Sequence, residues 1–197
     1  MNKKIIDNTE IKKENNNILY RENNINSNIE NKKKNKNKKI IYISSMGGHL
    51  KELLMLEKLF DKYDTTIITE KTDATKNLKE DILKKHKNTK TYYLEYGTKH
   101  NIFPYIGIFI RNIFLSFKYF KKVMPDIVIT TGTHTAVPMC FIAKIFNKKV
   151  IYIETFASVT GGSLAGKIVY PIADEFIVQW KEMLKKYPNA KYLGGIF

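Results

Sequence analysis

The stretch from Ile40 to Phe60 limits the possible folds more than any other part of the chain. Residues Ile40 to Ser44 are short, β-branched and aromatic, and apolar at almost every position. That is the pattern of a strand covered on both faces, as in a parallel sheet. The period then changes. Leu50, Leu53, Leu54, Leu56, Leu59 and Phe60 recur three and four residues apart and lay an apolar stripe along one side of a helix. Between the two runs lies Ser44-Ser-Met-Gly-Gly-His49. Gly47 and Gly48 let the backbone turn sharply and leave room for a ligand beside the first N–H groups of the helix. Strand, Gly-Gly turn and helix start together predict an anion or phosphate-sugar site with His49 at its mouth. A ligand-free strand-to-helix turn would use the same glycines.

The alternation continues to the end of the chain. Strands are expected at residues 65–69, 91–96, 126–131, 149–153 and 175–179. Helices are expected at 73–86, 136–146 and 164–172, with a short helix at 181–186 and a last extended piece at 190–193. Strands and helices alternating at this spacing predict a doubly wound, mostly parallel α/β sheet. Ligands of such sheets sit at the carboxyl ends of the strands, where the strand order reverses. Three loops rich in glycine and hydroxyls, 44–49, 131–138 and 154–163, should converge there.

Composition narrows the function classes. The net charge is +15 over 197 residues, which raises nucleic acid or an anionic membrane surface as a partner. Residues 1–39 hold 11 Lys/Arg against 5 Asp/Glu, so the excess is not confined to the first segment. No nucleic-acid recognition motif accompanies the charge, and no nucleic-acid partner is expected. The single cysteine, Cys140, rules out an internal disulfide framework and fits a reducing, cytoplasmic setting. Residues 1–38 are low in complexity, rich in Asn and Lys, and read as a disordered basic leader or a tether to anionic lipid. The first residues, Met1 to Glu14, are polar and lack the apolar core of a secretion signal.

Residues 102–120 are strongly apolar and aromatic, hold no acid, and are followed by Lys121-Lys122. A membrane-spanning helix needs about 20 residues without central charge. Pro104, Gly107 and the central Arg111-Asn112 argue against one. Two readings remain: a helix buried against the sheet with Arg111 at the site, or an aromatic, cationic helix dipping into a bilayer interface through Ile102, Phe103, Tyr105, Ile106 and Phe109.

Among the groups that could carry chemistry, His49 stands first. The positive end of a helix dipole favours the neutral ring, which could take a proton from a sugar hydroxyl as general base. Thr131, Gly132 and Thr133 form a second glycine-containing turn after a strand, able to hold phosphate or sugar or simply to cap the next helix. Glu154 leaves the fifth strand at its carboxyl end, to bind a ligand hydroxyl or to hydrogen-bond a neighbouring loop. His86 and His100 fall in polar contexts and are expected to face solvent. No metal-ligand spacing, dinucleotide fingerprint or P-loop is present, and neither metal nor cofactor is expected.

Six ordered motifs resemble one family: Ser45-Met-Gly-Gly-His49, Thr130-Thr-Gly132 with Pro138, Ile151-Tyr-Ile-Glu154, Ser163-Leu-Ala-Gly-Lys167 with Tyr170, Ala173-Asp-Glu-Phe-Ile-Val-Gln-Trp180, and Tyr187-Pro188. The resemblance covers residues 39–197. It is to the acceptor-side, membrane-associated subunits of split GT-B glycosyltransferases. These include the capsule and exopolysaccharide proteins of the PssD type and the eukaryotic anchoring subunit of the UDP-GlcNAc transferase that makes chitobiosyl-diphosphodolichol. The layout is also similar to the N-terminal half of MurG.

The resemblance implies a Rossmann-like domain, the N-terminal half of a GT-B fold. It would bind a polyprenyl-diphosphate-linked saccharide at the cytoplasmic face of the membrane as a peripheral protein. A separate C-terminal-type catalytic subunit would hold the UDP-sugar, so this chain would be a hexosyltransferase subunit inactive alone. Carried onto this sequence, Gly47, Gly48 and His49 form the first glycine loop facing the acceptor diphosphate. Thr131, Gly132 and Thr133 form the second, and Glu154 is the acceptor-side carboxylate. Family members often carry an arginine where this chain has Ala157-Ser158; its role would pass to Lys167 or Arg111. A purely structural membrane adaptor with no catalytic residue is the alternative.

Overall fold

Among the described residues, seven strands, the longer ones rich in β-branched and aromatic residues, lie all parallel in a single sheet of order β3-β2-β1-β4-β5-β6-β7. The fold is that of a computed structural model, which describes residues 38–97 and 102–196, with the side chains of residues 102–104 outside that description. The strands are β1 Lys39–Ile43, β2 Asp64–Lys71, β3 Lys90–Glu95, β4 Ile127–Thr130, β5 Lys149–Ile153, β6 Glu175–Val178 and β7 Lys191–Tyr192. The helices are α1 Gly48–Leu54, α2 Leu78–Lys85, α3 Ile102–Val123, α4 Val137–Ile145 and α5 Leu164–Val169. This is the Rossmann-like, doubly wound sheet. The order reverses between β1 and β4, because β1 pairs with β2 on one side and β4 on the other. The basic leader and His100 lie outside the described residues.

Period-2 geometry sends alternate side chains of each strand to opposite faces, and both faces are covered. Ile40 and Tyr42 join Leu50, Leu53, Phe60 and Ile82 under α1 and α2. Ile41 and Ile43 join Phe120, Met139 and Val169 under α3, α4 and α5. Continuous apolar strands rather than alternating ones are the direct result. The apolar stripe expected to make one helix over 50–60 is divided: α1 stops at Leu54 and a 3-10 turn, Glu57–Lys62, carries Phe60 into the core.

His86 departs from expectation. It is buried, its Nδ1 2.8 Å from Asp61 Oδ2 and its ring edge-on to Phe60. The Phe60 ring that shields it comes from the 3-10 turn, whose position the helical period did not reveal. Cys140 lies in the core, where burial pushes its thiol up to about 12 and leaves it unreactive.

Helix α3 has two characters. Asn112, Ser116, Phe120 and Val123 are buried, and the Asn112 amide is bonded to both the N–H and the C=O of Glu95 on β3. Its other face exposes Ile106, Ile110, Ile113, Phe114 and Phe117, continued on α4 by Phe141 and Ile145. Among the described residues, no helix is long and apolar enough to cross a membrane.

Candidate functional site

The chain leaves β1 through Ser44–Gly47 and turns at Gly47, whose φ of +84° strains any residue with a side chain. The Gly47 carbonyl accepts from Lys51 N at 3.1 Å and opens α1. At seven residues, α1 sums few peptide dipoles. The geometry around His49 is more telling than the helix end. His49 Nδ1 lies 2.9 Å from the carbonyl oxygen of Thr131, and Thr131 Oγ1 donates to the carbonyl of His49 at 2.7 Å. A carbonyl only accepts, so in the neutral ring Nδ1 holds the proton and Nε2 keeps its lone pair. These reciprocal bonds join the ends of β1 and β4 across the switch point. Gly132, φ +94°, permits the approach: a Cβ there would stand 3.1 Å from Tyr152 Oη and 3.5 Å from His49 Nδ1.

A carboxylate lies beside this pair. Glu70, at the end of β2, is 3% exposed. Its Oε2 accepts from Met46 N at 3.2 Å and its Oε1 from Thr135 Oγ1 at 2.5 Å. Burial pushes its carboxyl above the ordinary value, while the Thr135 hydroxyl, the Met46 amide and the nearby His49 pull it back. The Tyr105 phenol, also raised by burial and by the Glu70 charge, comes from the first turns of α3, its ring 5.6 Å from that of His134.

The third loop is held by two further buried acids. Glu154 Oε1 accepts from Thr155 N at 3.0 Å; its Oε2 accepts from Ser163 N at 3.1 Å and from the Tyr187 hydroxyl at 3.4 Å. Glu52, on α1, accepts from Thr155 Oγ1 at 2.8 Å, Phe156 N at 3.2 Å and Gln179 Nε2 at 3.4 Å. Tyr152 Oη meets Ser163 Oγ at 3.1 Å, and Ser163 Oγ caps α5 by accepting from Gly166 N. All three loops therefore converge at the carboxyl ends of the strands.

Of the residues singled out in the sequence, Gly47, Gly48, His49, Thr131, Gly132 and Thr133 come together at the switch point. Thr133 Oγ1 is enclosed there without a hydrogen-bond partner among the described residues. Glu154 takes the loop-bonding alternative, both oxygens engaged by its own loop and Tyr187. Arg111 forms a two-pronged pair with Glu95 at the end of the outermost strand, β3, and Lys167 is exposed on α5. Of the interfacial set on α3, Ile106 is on the exposed face, whereas Tyr105 and Phe109 are half-buried; the side chains of Ile102 and Phe103 lie outside the described residues. Glu70 and Glu52 are not among the residues the sequence singles out, and Thr135 enters there only as one hydroxyl of the 131–138 loop. A lone acid closing the β-branched run 64–69, and another inside the Leu50–Leu54 stripe, were the available signals.

The groups gathered at the switch point are an imidazole with one free nitrogen, hydroxyls and backbone amides around a buried carboxylate. Such a set suits sugar hydroxyls and proton transfer. Among the described residues no group of His, Cys, Asp and Glu could hold a metal ion. Residues 39–196 match the model of the family described as oligosaccharide biosynthesis protein Alg14 like. The chain belongs to that family.

Alg14 relatives include the human protein described as UDP-N-acetylglucosamine transferase subunit ALG14. It is 40% identical over 93 residues, which cover 44% of this chain and 43% of the human one. The chain thus matches less than half of that relative's length. The Debaryomyces hansenii protein of the same description is 28% identical over 173 residues, 79% of this chain and 74% of that one. Among solved structures, MurG of Acinetobacter baumannii superposes with a TM-score of 0.61 at 16% identity, covering 80% of this chain and 45% of MurG. A UDP-N-acetylglucosamine 2-epimerase from Rickettsia bellii gives 0.59, also at 16% identity, covering 81% and 45%. At such identities the likeness is one of fold: each matches about half of a longer chain.

Proposed function

We propose that this Alg14-family chain is the acceptor-side, non-autonomous subunit of a two-chain UDP-sugar-dependent glycosyltransferase of oligosaccharide biosynthesis. Its acceptor is a polyprenyl-diphosphate-linked saccharide at the cytoplasmic face of the membrane, and a separate catalytic chain brings the UDP-sugar. The names of the relatives support N-acetylglucosamine as the sugar transferred.

The observation that carries the reading is the His49–Thr131 pair. With Nδ1 committed to a carbonyl, Nε2 takes the proton of the acceptor hydroxyl. The hydroxyl oxygen forms its bond to the anomeric carbon as the bond from that carbon to UDP breaks. Backbone amides and hydroxyls of Gly47–Gly48 and Thr131–Thr133 line the acceptor, and Glu154 and Glu52 hold the third loop in place. The exposed apolar face of α3, flanked by Lys118, Lys121 and Lys122, faces the lipid headgroups.

The test is sugar transfer from labelled UDP-sugars to polyprenyl-diphosphate saccharides, by this chain alone and with the product of the adjacent reading frame. Transfer only by the pair, lost in His49→Ala with partner recruitment intact, is the expected result. Transfer by this chain alone would sink the two-chain reading. The commitment of Glu154 to its own loop favours a second reading, an adaptor that recruits the catalytic chain and contributes no catalytic group. Full transfer by the His49→Ala pair would select it.

A further inference from the structure

We propose that Glu70 is the positioning residue of this site: its buried carboxylate holds the turn that carries His49 against the loop that follows β4, without touching substrate. The role of His49 rests on the function proposed above; the clamp itself does not.

The two oxygens of Glu70 are divided between the two loops. Oε2 takes the amide of Met46, three residues before His49, and Oε1 takes the hydroxyl of Thr135, four residues after Thr131. The strand that carries Glu70 lies beside neither β4 nor its loop in the sheet order, since β1 intervenes. The side chain therefore reaches across the top of β1. An ionised carboxylate at 3% exposure is costly unless hydrogen-bonded, and the bonds it accepts come from the two segments whose approach creates the His49–Thr131 pair. An apolar side chain at position 70 would avoid that cost and leave Met46 N and Thr135 Oγ1 without these bonds. What the carboxylate gains is a fixed distance between two loops, and the imidazole stands between them.

The experiment reads amide hydrogen exchange on the full chain for wild type, Glu70→Gln, Thr135→Val and Thr135→Ser. In Glu70→Gln and Thr135→Val, exchange at 44–49 and at 131–136 should rise together by about tenfold, with β1 and β4 unchanged. Thr135→Ser, which keeps the hydroxyl, should restore the wild-type rate. Faster exchange in only one loop, or in neither, would overturn the clamp. In the transfer assay with the partner chain, a positioning role lowers kcat by about tenfold with the acceptor KM nearly constant. A raised KM with kcat retained would make Glu70 an acceptor-binding group and overturn the proposal. Should His49→Ala leave transfer intact, the general-base reading fails, while the exchange data still decide the clamp.

Discussion

The loop cluster above the strands and the outer face of α3 handle the same problem, an unfavourable group, in opposite ways. Above the strands, three carboxylates, those of Glu52, Glu70 and Glu154, are each at most 5% exposed, and each accepts bonds from loop amides and from hydroxyls. On α3, Phe114 is 70% exposed and is followed one turn on by Lys118. Polar groups have been taken out of water in the first region, and apolar ones left in it in the second. The first arrangement stores precision, because each buried acid tolerates little movement of its partners. The second stores an unused contact.

Four substitutions separate these regions, in decreasing order of expected effect. Gly166→Ala places a Cβ against Glu154 Oε2 and Ser163 Oγ; it should cost about 3 kcal/mol in urea unfolding, as overpacking of a rigid site does. Glu52→Ala removes the acceptor used by the Thr155 hydroxyl and the Phe156 amide and should cost about 2 kcal/mol by the same measurement. Were either nearly neutral, the loops would not be braced by their acids.

The Glu70 carboxyl provides a finer test through pH. Its folded value is raised, chiefly by burial, so the native state binds this proton more tightly than the unfolded chain does. The contribution of Glu70 to stability is therefore greatest below the ordinary value of 4.5 and falls as pH climbs from there through the folded value. Urea midpoints across that range should fall less steeply in Glu70→Gln than in wild type; equal slopes would mean the carboxyl is not strained by burial. On α3, Phe114→Ser should shift stability by no more than about 0.5 kcal/mol, yet reduce flotation with vesicles of anionic lipid. Unaltered flotation would remove this face from the membrane contact.

The architecture was legible where local pattern decides it. The strands at β1, β4 and β5 are dense in Ile, Val and Tyr, and the three hydroxyl-rich loops follow strands at regular spacing, so their convergence is a matter of parallel topology. What escaped was whatever depends on distant partners. Thr135 is 65 residues from Glu70, and Thr155 is 103 from Glu52. The places of the two acids, one closing a strand and one inside an apolar stripe, set them apart from the exposed Glu80 but do not name the distant groups they bind. Glu154 was noticed, but the direction of its side chain is set by Ser163 and Tyr187, which approach only in the fold. His86 was misplaced for the same reason: its polar neighbours in sequence are not its neighbours in space.

The His49–Thr131 pair also carries a consequence for the order in which the molecule is built. Its partners are 82 residues apart in the chain, so neither bond can form until β2, β3 and α3 have been passed over and β4 has docked on β1. Closing a loop of that length is entropically costly, and such non-local contacts are slow to form. The half-site carried by β1 and α1 is made early and completed late. A nascent chain that has not yet presented β4 holds the imidazole with no Thr131 carbonyl to orient it, so the pair waits on sheet closure.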